Sequence, residues 1–192
     1  MNLPNKITLS RIILIPFVIF FYLATFIPYG KLIALILFII ASFTDALDGY
    51  IARKYNLITD LGKLLDPIAD KVLVSSSLLL IITDGTIASP YGVIAGIIII
   101  GREFIVSALR QIAASKNYVM AADKLGKLKT IFQDITLPLF LFISFINAEN
   151  VLQNEVFVNV ISIIAYTTLG IATALTIVSC INYLVKNREV LK

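Results

Sequence analysis

The stretch around which this chain is organised is Asp45–Arg53, with the sequence DALDGYIAR, followed after eight residues by Gly62–Asp70, with the sequence GKLLDPIAD. The two segments together hold four aspartates, two glycines and an arginine. The rest of the chain is very different, because 59% of its 192 residues are hydrophobic and only 15% are charged. Polar groups concentrated in this way predict a functional site.

The spacing of the polar and small residues in this stretch is helical. The first segment repeats at offsets of three, four and seven residues, and the second repeats at offsets of four. Such offsets return to one face of an α-helix. The spacing predicts two stripes, formed by Asp45, Asp48, Gly49 and Ala52 and by Gly62, Asp66 and Asp70. If the chain reverses between them, the four carboxylates converge, with small residues leaving room for a ligand.

Four carboxylates held together repel each other and need a cation. The chain has no histidine and one cysteine, Cys180, which lies in an apolar run. Ligation by oxygen alone favours Mg²⁺ or Mn²⁺ over zinc or copper, and such ions commonly hold phosphate oxygens. The alternative is a solvated helix end, in which the aspartates pair with the neighbouring basic residues Arg53, Lys54, Lys63 and Lys71.

The composition, with a mean hydropathy of +0.95, indicates an all-α integral membrane protein. We expect no cleavable signal peptide, because the first apolar run lacks a small-residue cleavage site. We expect a single domain over 1–192. Allowing about 20 residues per crossing, the sequence predicts six transmembrane helices, preceded by a short interfacial helix over 1–10. The predicted spans are about 11–28, 31–55, 64–83, 90–115, 128–146 and 157–185.

The distribution of basic residues predicts the orientation. If the N-terminus is cytoplasmic, Lys31 is the one basic residue of the 16 that falls on the outer side. The opposite loops carry Asp84, Glu149 and Glu155 instead. Because cytoplasmic loops are enriched in lysine and arginine, we expect both termini and the aspartate stretch to face the cytoplasm.

The fourth predicted helix carries Arg102 and Glu103, roughly 18 Å from its start at 1.5 Å per residue, and Arg110 two turns later. Ionisable groups at that depth usually face a bundle interior or a polar cavity. Arg102 could pair structurally with Glu103 or with Asp134. The alternative is a cationic pocket for an anionic substrate, extended by Lys124, Lys127 and Lys129.

Two glycines on the same helix, Gly92 and Gly96, form a small-x3-small pattern. This pattern is typical of close helix packing. It is compatible with packing inside one chain and with a dimer interface.

The aspartate stretch resembles the signature of the CDP-alcohol phosphotransferases, D-x2-D-G-x2-A-R-x8-G-x3-D-x3-D, and every fixed position is present. The resemblance implies a homodimeric membrane enzyme with two divalent ions held by the four aspartates. It also implies that Asp70 is the general base. The residues implied to contact the CDP-lipid are Asn5, Thr8, Gly49, Ala52, Arg53, Thr59 and Gly62.

A second set of residues narrows the resemblance. Gly101-Arg102-Glu103 with Arg110, and the later segment 126–130 with Gln133, are similar to the bacterial members of this family that make phosphatidylglycerophosphate. This implies transfer of the phosphatidyl group from CDP-diacylglycerol to sn-glycerol 3-phosphate at the plasma membrane, with the active site facing the cytoplasm. The acceptor pocket is expected within 102–130, and Arg102, Arg110 and Lys127 are implied to bind the acceptor phosphate.

Other functions remain open at this point. A sibling enzyme could use inositol phosphate or serine as its acceptor, although a basic pocket argues against serine. An intramembrane prenyltransferase also uses aspartate motifs, but its motifs lie much farther apart. A divalent-cation transporter would hold its ions near the membrane midplane, whereas these aspartates are predicted at a helix end. We expect membrane lipids as neighbours and no nucleic acid.

Overall fold

The computed structural model describes residues 3–55, 60–116, 124–151 and 154–187; within them, the side chains of 3–6, 45–53, 60–61, 63–64, 114–115 and 124 lie outside the description. The described residues form six helices and no strand, which confirms the all-α prediction. The helices are α1 (Leu3–Leu23), α2 (Gly30–Lys54), α3 (Asp60–Thr83), α4 (Tyr91–Ser115), α5 (Lys124–Glu149) and α6 (Glu155–Lys186).

Several boundaries differ by a few residues from the sequence prediction, and the starts of α1 and α3 differ in ways that concern the candidate site. A separate interfacial helix over 1–10 was expected, but α1 is continuous from Leu3 and ends at Leu23. The Ser10 hydroxyl donates back to the Ile7 carbonyl at 2.7 Å, so it bonds within the helix and does not cap a new one. Similarly, α3 begins earlier than expected, which places Pro67 inside the helix and not in its first turn.

The hydrophobic core lies between α1, α2, α3 and α5, with α6 closing one side. Large buried side chains such as Phe38 of α2, Ile81 of α3 and Phe140 of α5 are at most 1% exposed. By contrast, α4 packs against α3 and α6 only, apart from weaker contacts. A smaller apolar cluster of Val106, Leu109 and Tyr183 joins α4 to α6. This cluster fixes the two helices that carry much of the candidate site.

Many apolar side chains point outward, as expected for a lipid-facing surface. Within the described part of the chain, three helical segments are long and apolar enough to cross a membrane. These segments are Tyr91–Ala113, Leu125–Glu149 and Glu155–Lys186. Shorter apolar segments occur in α1 and α2.

A polar cluster joins four segments at one end of the bundle, and Asp84 is at its centre. The Asp84 carboxylate accepts hydrogen bonds from Tyr22 at 2.5 Å, Ser144 at 2.5 Å and Lys31 at 2.8 Å. Burial would raise the pKa of Asp84, but the hydrogen bonds from Lys31, Ser144 and Tyr22 outweigh it and lower the pKa to about 2. The cluster therefore ties the ends of α1, α3 and α5 to the start of α2.

The glycine pair of α4 packs inside the chain. A Cβ atom at Gly92 would lie 2.8 Å from Cγ2 of Ile87, and one at Gly96 would lie 2.8 Å from Cδ1 of Ile82. Both glycines are buried. Of the two interpretations of this pattern, the structure supports close packing within one chain.

Candidate active site

The N-terminal helix is bonded directly to the aspartate stripe of α3. The Thr8 hydroxyl donates to Oδ1 of Asp66 at 2.6 Å, and Thr8 is only 1% exposed. Thr8 was implied to contact the CDP-lipid and Asp66 to hold metal. The structure brings these two predicted site residues into contact.

Asp70 follows Asp66 by one helical turn and lines a cavity of about 270 Å³. The cavity is also lined by Arg102 and Arg110 of α4 and by Lys127 of α5. The structure thus brings the proposed base and all three predicted phosphate-binding residues to one cavity. The cavity also contains Lys71, Glu103 and Asp134, so four cationic side chains line it with three acidic ones.

The two arginines of this cavity are held by α6, for which the sequence analysis assigned no role. Nη2 of Arg102 donates to the Ser179 hydroxyl at 3.3 Å. Nε of Arg110 donates to the Tyr183 hydroxyl at 3.2 Å, and its guanidinium lies 5.9 Å from the centre of the Tyr183 ring. Ser179 and Tyr183 are four residues apart, so they lie on one face of α6. The sequence signal that could have pointed to this role is a serine and a tyrosine spaced by four residues in an otherwise apolar helix.

Glu103, which lines the cavity, forms an ion pair with the buried Lys129. The Lys129 ammonium is hydrogen-bonded to the Glu103 carboxylate, and Lys129 is 1% exposed. Nη1 of Arg102 lies 3.7 Å from the same carboxylate. Lys129 also interacts electrostatically with Asp70 and Arg102. Arg102 therefore both pairs with Glu103 and lines the cavity, so the two alternatives raised for Arg102 are not exclusive.

Asp70 also lines a second cavity of about 280 Å³. Arg11 of α1 and Asp134 of α5 contribute charged groups to it, and Ser42 and Thr130 contribute hydroxyls. Arg11 is completely buried. The sequence analysis missed Arg11 as a site residue, although an arginine inside an apolar helix, three residues after Thr8, was a usable signal.

Several predicted site residues lie partly or wholly outside the described residues. Thr59 lies outside them altogether, and Gly62 is described as buried in α3. For the others the backbone is helical while the side chains are outside the description; these residues are Asn5 in α1 and Asp45, Asp48, Gly49, Ala52 and Arg53 in α2. Both aspartate segments are thus helical in backbone, as the spacing predicted, and α2 contacts α3.

The described residues fit a site for a divalent cation. Asp66 and Asp70 are spaced by one turn of α3, and Asp66 is anchored by Thr8. These donors are oxygens, which suit Mg²⁺ or Mn²⁺. No group of three or more candidate ligands is found among the described side chains. The two further aspartates expected to complete such a group, Asp45 and Asp48, have side chains outside that set.

The described residues thus form an apolar helical bundle with a charged cavity that contains both acidic and cationic side chains, including Asp70 and two arginines. A family model described as CDP-alcohol phosphatidyltransferase matches residues 1–184. The chain belongs to this family.

Curated relatives agree over nearly the whole chain. The protein named CDP-diacylglycerol–glycerol-3-phosphate 3-phosphatidyltransferase from Bacillus subtilis is 44% identical over 100% of this chain and 97% of its own length. Proteins of the same name from Rickettsia bellii and Haemophilus influenzae are 37% and 40% identical, over 95% of this chain and 93% and 91% of their lengths.

Proposed function

We propose that this chain transfers the phosphatidyl group of CDP-diacylglycerol to sn-glycerol 3-phosphate, giving phosphatidylglycerophosphate and CMP. The observation that carries this proposal is the cavity in which Asp70 meets Arg102, Arg110 and Lys127. A carboxylate there can accept a proton, and cationic groups around it can hold a phosphate. The names of the relatives state the same reaction.

The reaction is a displacement at the phosphorus that bears the lipid. A hydroxyl oxygen of glycerol 3-phosphate forms a bond to this phosphorus, and the bond from the phosphorus to the CMP oxygen breaks. Asp70 takes the hydroxyl proton as general base. The chain has no histidine, so a carboxylate is the natural group for this proton transfer.

The acceptor is oriented by its own phosphate. A guanidinium can bind two phosphate oxygens through paired N–H donors. Arg102 and Arg110 are spaced by two turns of α4 and fixed by α6. Holding the phosphate in this frame brings the hydroxyl to the reacting phosphorus and lowers the entropic part of the barrier.

The four aspartates of the motif are the residues that would hold divalent cations, and we propose two Mg²⁺ or Mn²⁺ ions. When bound, such ions would neutralise charge that develops on the attacking and leaving oxygens. The CDP-lipid is proposed to contact Thr8 and Gly62. Further proposed contacts are Asn5, Gly49, Ala52, Arg53 and Thr59.

The proposed topology has six crossings, with both termini and the active site on the cytoplasmic side of the plasma membrane. The three apolar segments of α4 to α6 support a membrane protein. Lys31, the one basic residue expected on the outer side, is bonded to Asp84 at the end away from the cavity. This charge distribution agrees with the orientation. We further propose a homodimer, whose interface does not use Gly92 and Gly96.

The test is formation of labelled lipid by purified protein from CDP-diacylglycerol and labelled sn-glycerol 3-phosphate, with and without Mg²⁺ or Mn²⁺. Serine and inositol 1-phosphate are added as competitors. Metal-dependent product that neither competitor reduces is the expected result. CMP release only with another alcohol would overturn the acceptor, and no CMP release under any condition would overturn the reaction.

A further inference from the structure

Arg11 is a fully buried arginine in the middle of an apolar helix, and neither the motif nor the acceptor pocket includes it. Its exposure is 0%, and it lines the second cavity beside Asp70. A guanidinium keeps its charge at any physiological pH. Burying it is costly unless carboxylates compensate the charge. The carboxylates that line this cavity are Asp70 and Asp134.

The register between α1 and α3 places Arg11 next to Asp70. Thr8 donates to Asp66 at 2.6 Å. Arg11 lies three residues after Thr8 on α1, and Asp70 lies four residues after Asp66 on α3. Each step is one helical turn, so both pairs of residues share a helix face. Arg11 and Asp70 therefore each follow the Thr8–Asp66 contact by one turn of their own helix, and both line the second cavity.

Asp70 lines two adjoining cavities, which also share Thr130 and Asp134. The first cavity contains the cationic groups assigned to the acceptor, including Arg102 and Arg110. In the second cavity, Arg11 is the cationic side chain among the described lining residues. Asp70 can therefore be reached by a cation that is not part of the proposed acceptor pocket.

We propose that Arg11 is a positioning residue of the catalytic centre, which holds the Asp70 carboxylate from the second cavity. This inference rests on the proposed reaction. Arg11 does not touch the acceptor, so its loss affects the turnover step and leaves acceptor binding in place. The paired N–H donors of the guanidinium matter as well as its charge, because two parallel hydrogen bonds fix the plane of a carboxylate.

The test uses the full chain in lipid nanodiscs, with the wild-type protein first shown to make phosphatidylglycerophosphate. Failure of the wild type would overturn the proposed function itself. In R11Q we expect kcat to fall about 100-fold, while KM for sn-glycerol 3-phosphate and the Kd for CDP-diacylglycerol change less than threefold. R11K keeps the positive charge but not the paired N–H donors, and we expect its kcat to fall about tenfold. S10A is the matched control, since Ser10 is an exposed neighbour on α1.

If R11Q folds, three results would overturn the proposal. One is a kcat of R11Q within threefold of wild type. Another is a loss that appears mainly as a higher KM for the acceptor, which would place Arg11 in the acceptor pocket. The third is a kcat of the double variant R11Q/D134N restored to the wild-type value, which would mean that Arg11 serves only to neutralise Asp134. If R11Q fails to fold, R11K decides alone: the wild-type kcat in R11K overturns the proposal, and the tenfold loss with unchanged KM and Tm supports it.

Discussion

The Arg110 guanidinium lies over the ring of Tyr183, and its Nε donates to the Tyr183 hydroxyl at 3.2 Å. One aromatic side chain therefore supports the arginine by a hydrogen bond and by a cation–π contact. Tyr183 is 3% exposed and lines the same cavity as Arg110. The C-terminal half of α6 thus contributes to the cavity that we propose binds the acceptor.

Replacing this tyrosine separates its two contacts. Y183F loses the hydrogen bond and keeps the ring, so KM for sn-glycerol 3-phosphate should rise by roughly 3- to 10-fold, as expected for one hydrogen bond, with little change in kcat. Y183A loses both contacts and should raise KM further. Steady-state kinetics measure both effects. Y166F is the control, because Tyr166 is also on α6 but its hydroxyl accepts a hydrogen bond from the backbone N–H of Ala88. An equal rise in KM in Y166F would contradict the role assigned to Tyr183.

Removing Arg110 itself should weaken acceptor binding directly. R110A deletes a charged donor to the phosphate, which is worth about 1.5 to 3 kcal/mol, and should raise KM for sn-glycerol 3-phosphate by about 10- to 100-fold. KM for CDP-diacylglycerol should stay within threefold. A change in KM for CDP-diacylglycerol alone would show that Arg110 does not bind the acceptor. K186A, at an exposed position at the end of α6, controls for the loss of one positive charge.

Asp70 is proposed to carry the proton transfer. D70N keeps the size of the side chain and removes its basicity, so turnover should fall by at least about 10²-fold, in line with general-base contributions. Some binding of CDP-diacylglycerol should remain, because other aspartates and the N-terminal segment are unchanged. Turnover and equilibrium binding are both measured. Near-normal turnover in D70N would refute the base assignment.

The sequence predicted the helices and the aspartate stripes because their signals are local. Helix face and spacing follow from offsets of three and four residues, so Asp66 and Asp70 could be placed on one stripe. Apolar runs of about 20 residues predicted six helices; the described residues form six, of which three contain a segment long and apolar enough to cross a membrane. The predicted start of α1 was wrong: the polar residues near Ser10 indicated a break after residue 10, whereas the helix is continuous from Leu3 and the Ser10 hydroxyl bonds within it.

The contacts between distant helices could not be predicted in the same way. Ser179 and Tyr183 lie more than 70 residues from the arginines they hold, and no local pattern encodes which face of α6 meets α4. The burial of Arg11 likewise depends on the packing of α1 against α3. Spacing identified Asp70, Arg102 and Arg110 as candidate site residues, and only tertiary packing shows which side chains support them.

The pair of Glu103 and Lys129 should behave as a unit. E103Q leaves the buried Lys129 ammonium without its carboxylate, which should cost about 3 to 5 kcal/mol of stability. K129M leaves Glu103 next to Arg102 and should cost less. The double variant should lose less than the sum of the two single losses. Thermal unfolding in detergent gives the three values, and strictly additive losses would show that the two residues are not coupled.

The Asp84 cluster predicts how stability depends on pH. The folded state lowers the pKa of Asp84 from 3.8 to about 2. A lowered pKa means that the ionised carboxylate stabilises the fold above pH 3.8, and that this stabilisation is lost as the pH falls toward 2. Allowing for partial exposure, the loss in unfolding free energy should be about 1 to 2 kcal/mol.

D84N tests this at the end of the bundle away from the cavity. At pH 7 the variant should unfold at a lower Tm than wild type, because Lys31 loses its partner. Between pH 5 and pH 2 its Tm should fall less steeply than that of wild type, since the titrating group is gone. Its kcat should match wild type, because Asp84 does not line either cavity next to Asp70.

E155Q, which neutralises an exposed acid at the start of α6, should keep the wild-type dependence of Tm on pH. If D84N and wild type lose Tm in parallel over this pH range, another group controls the acid stability.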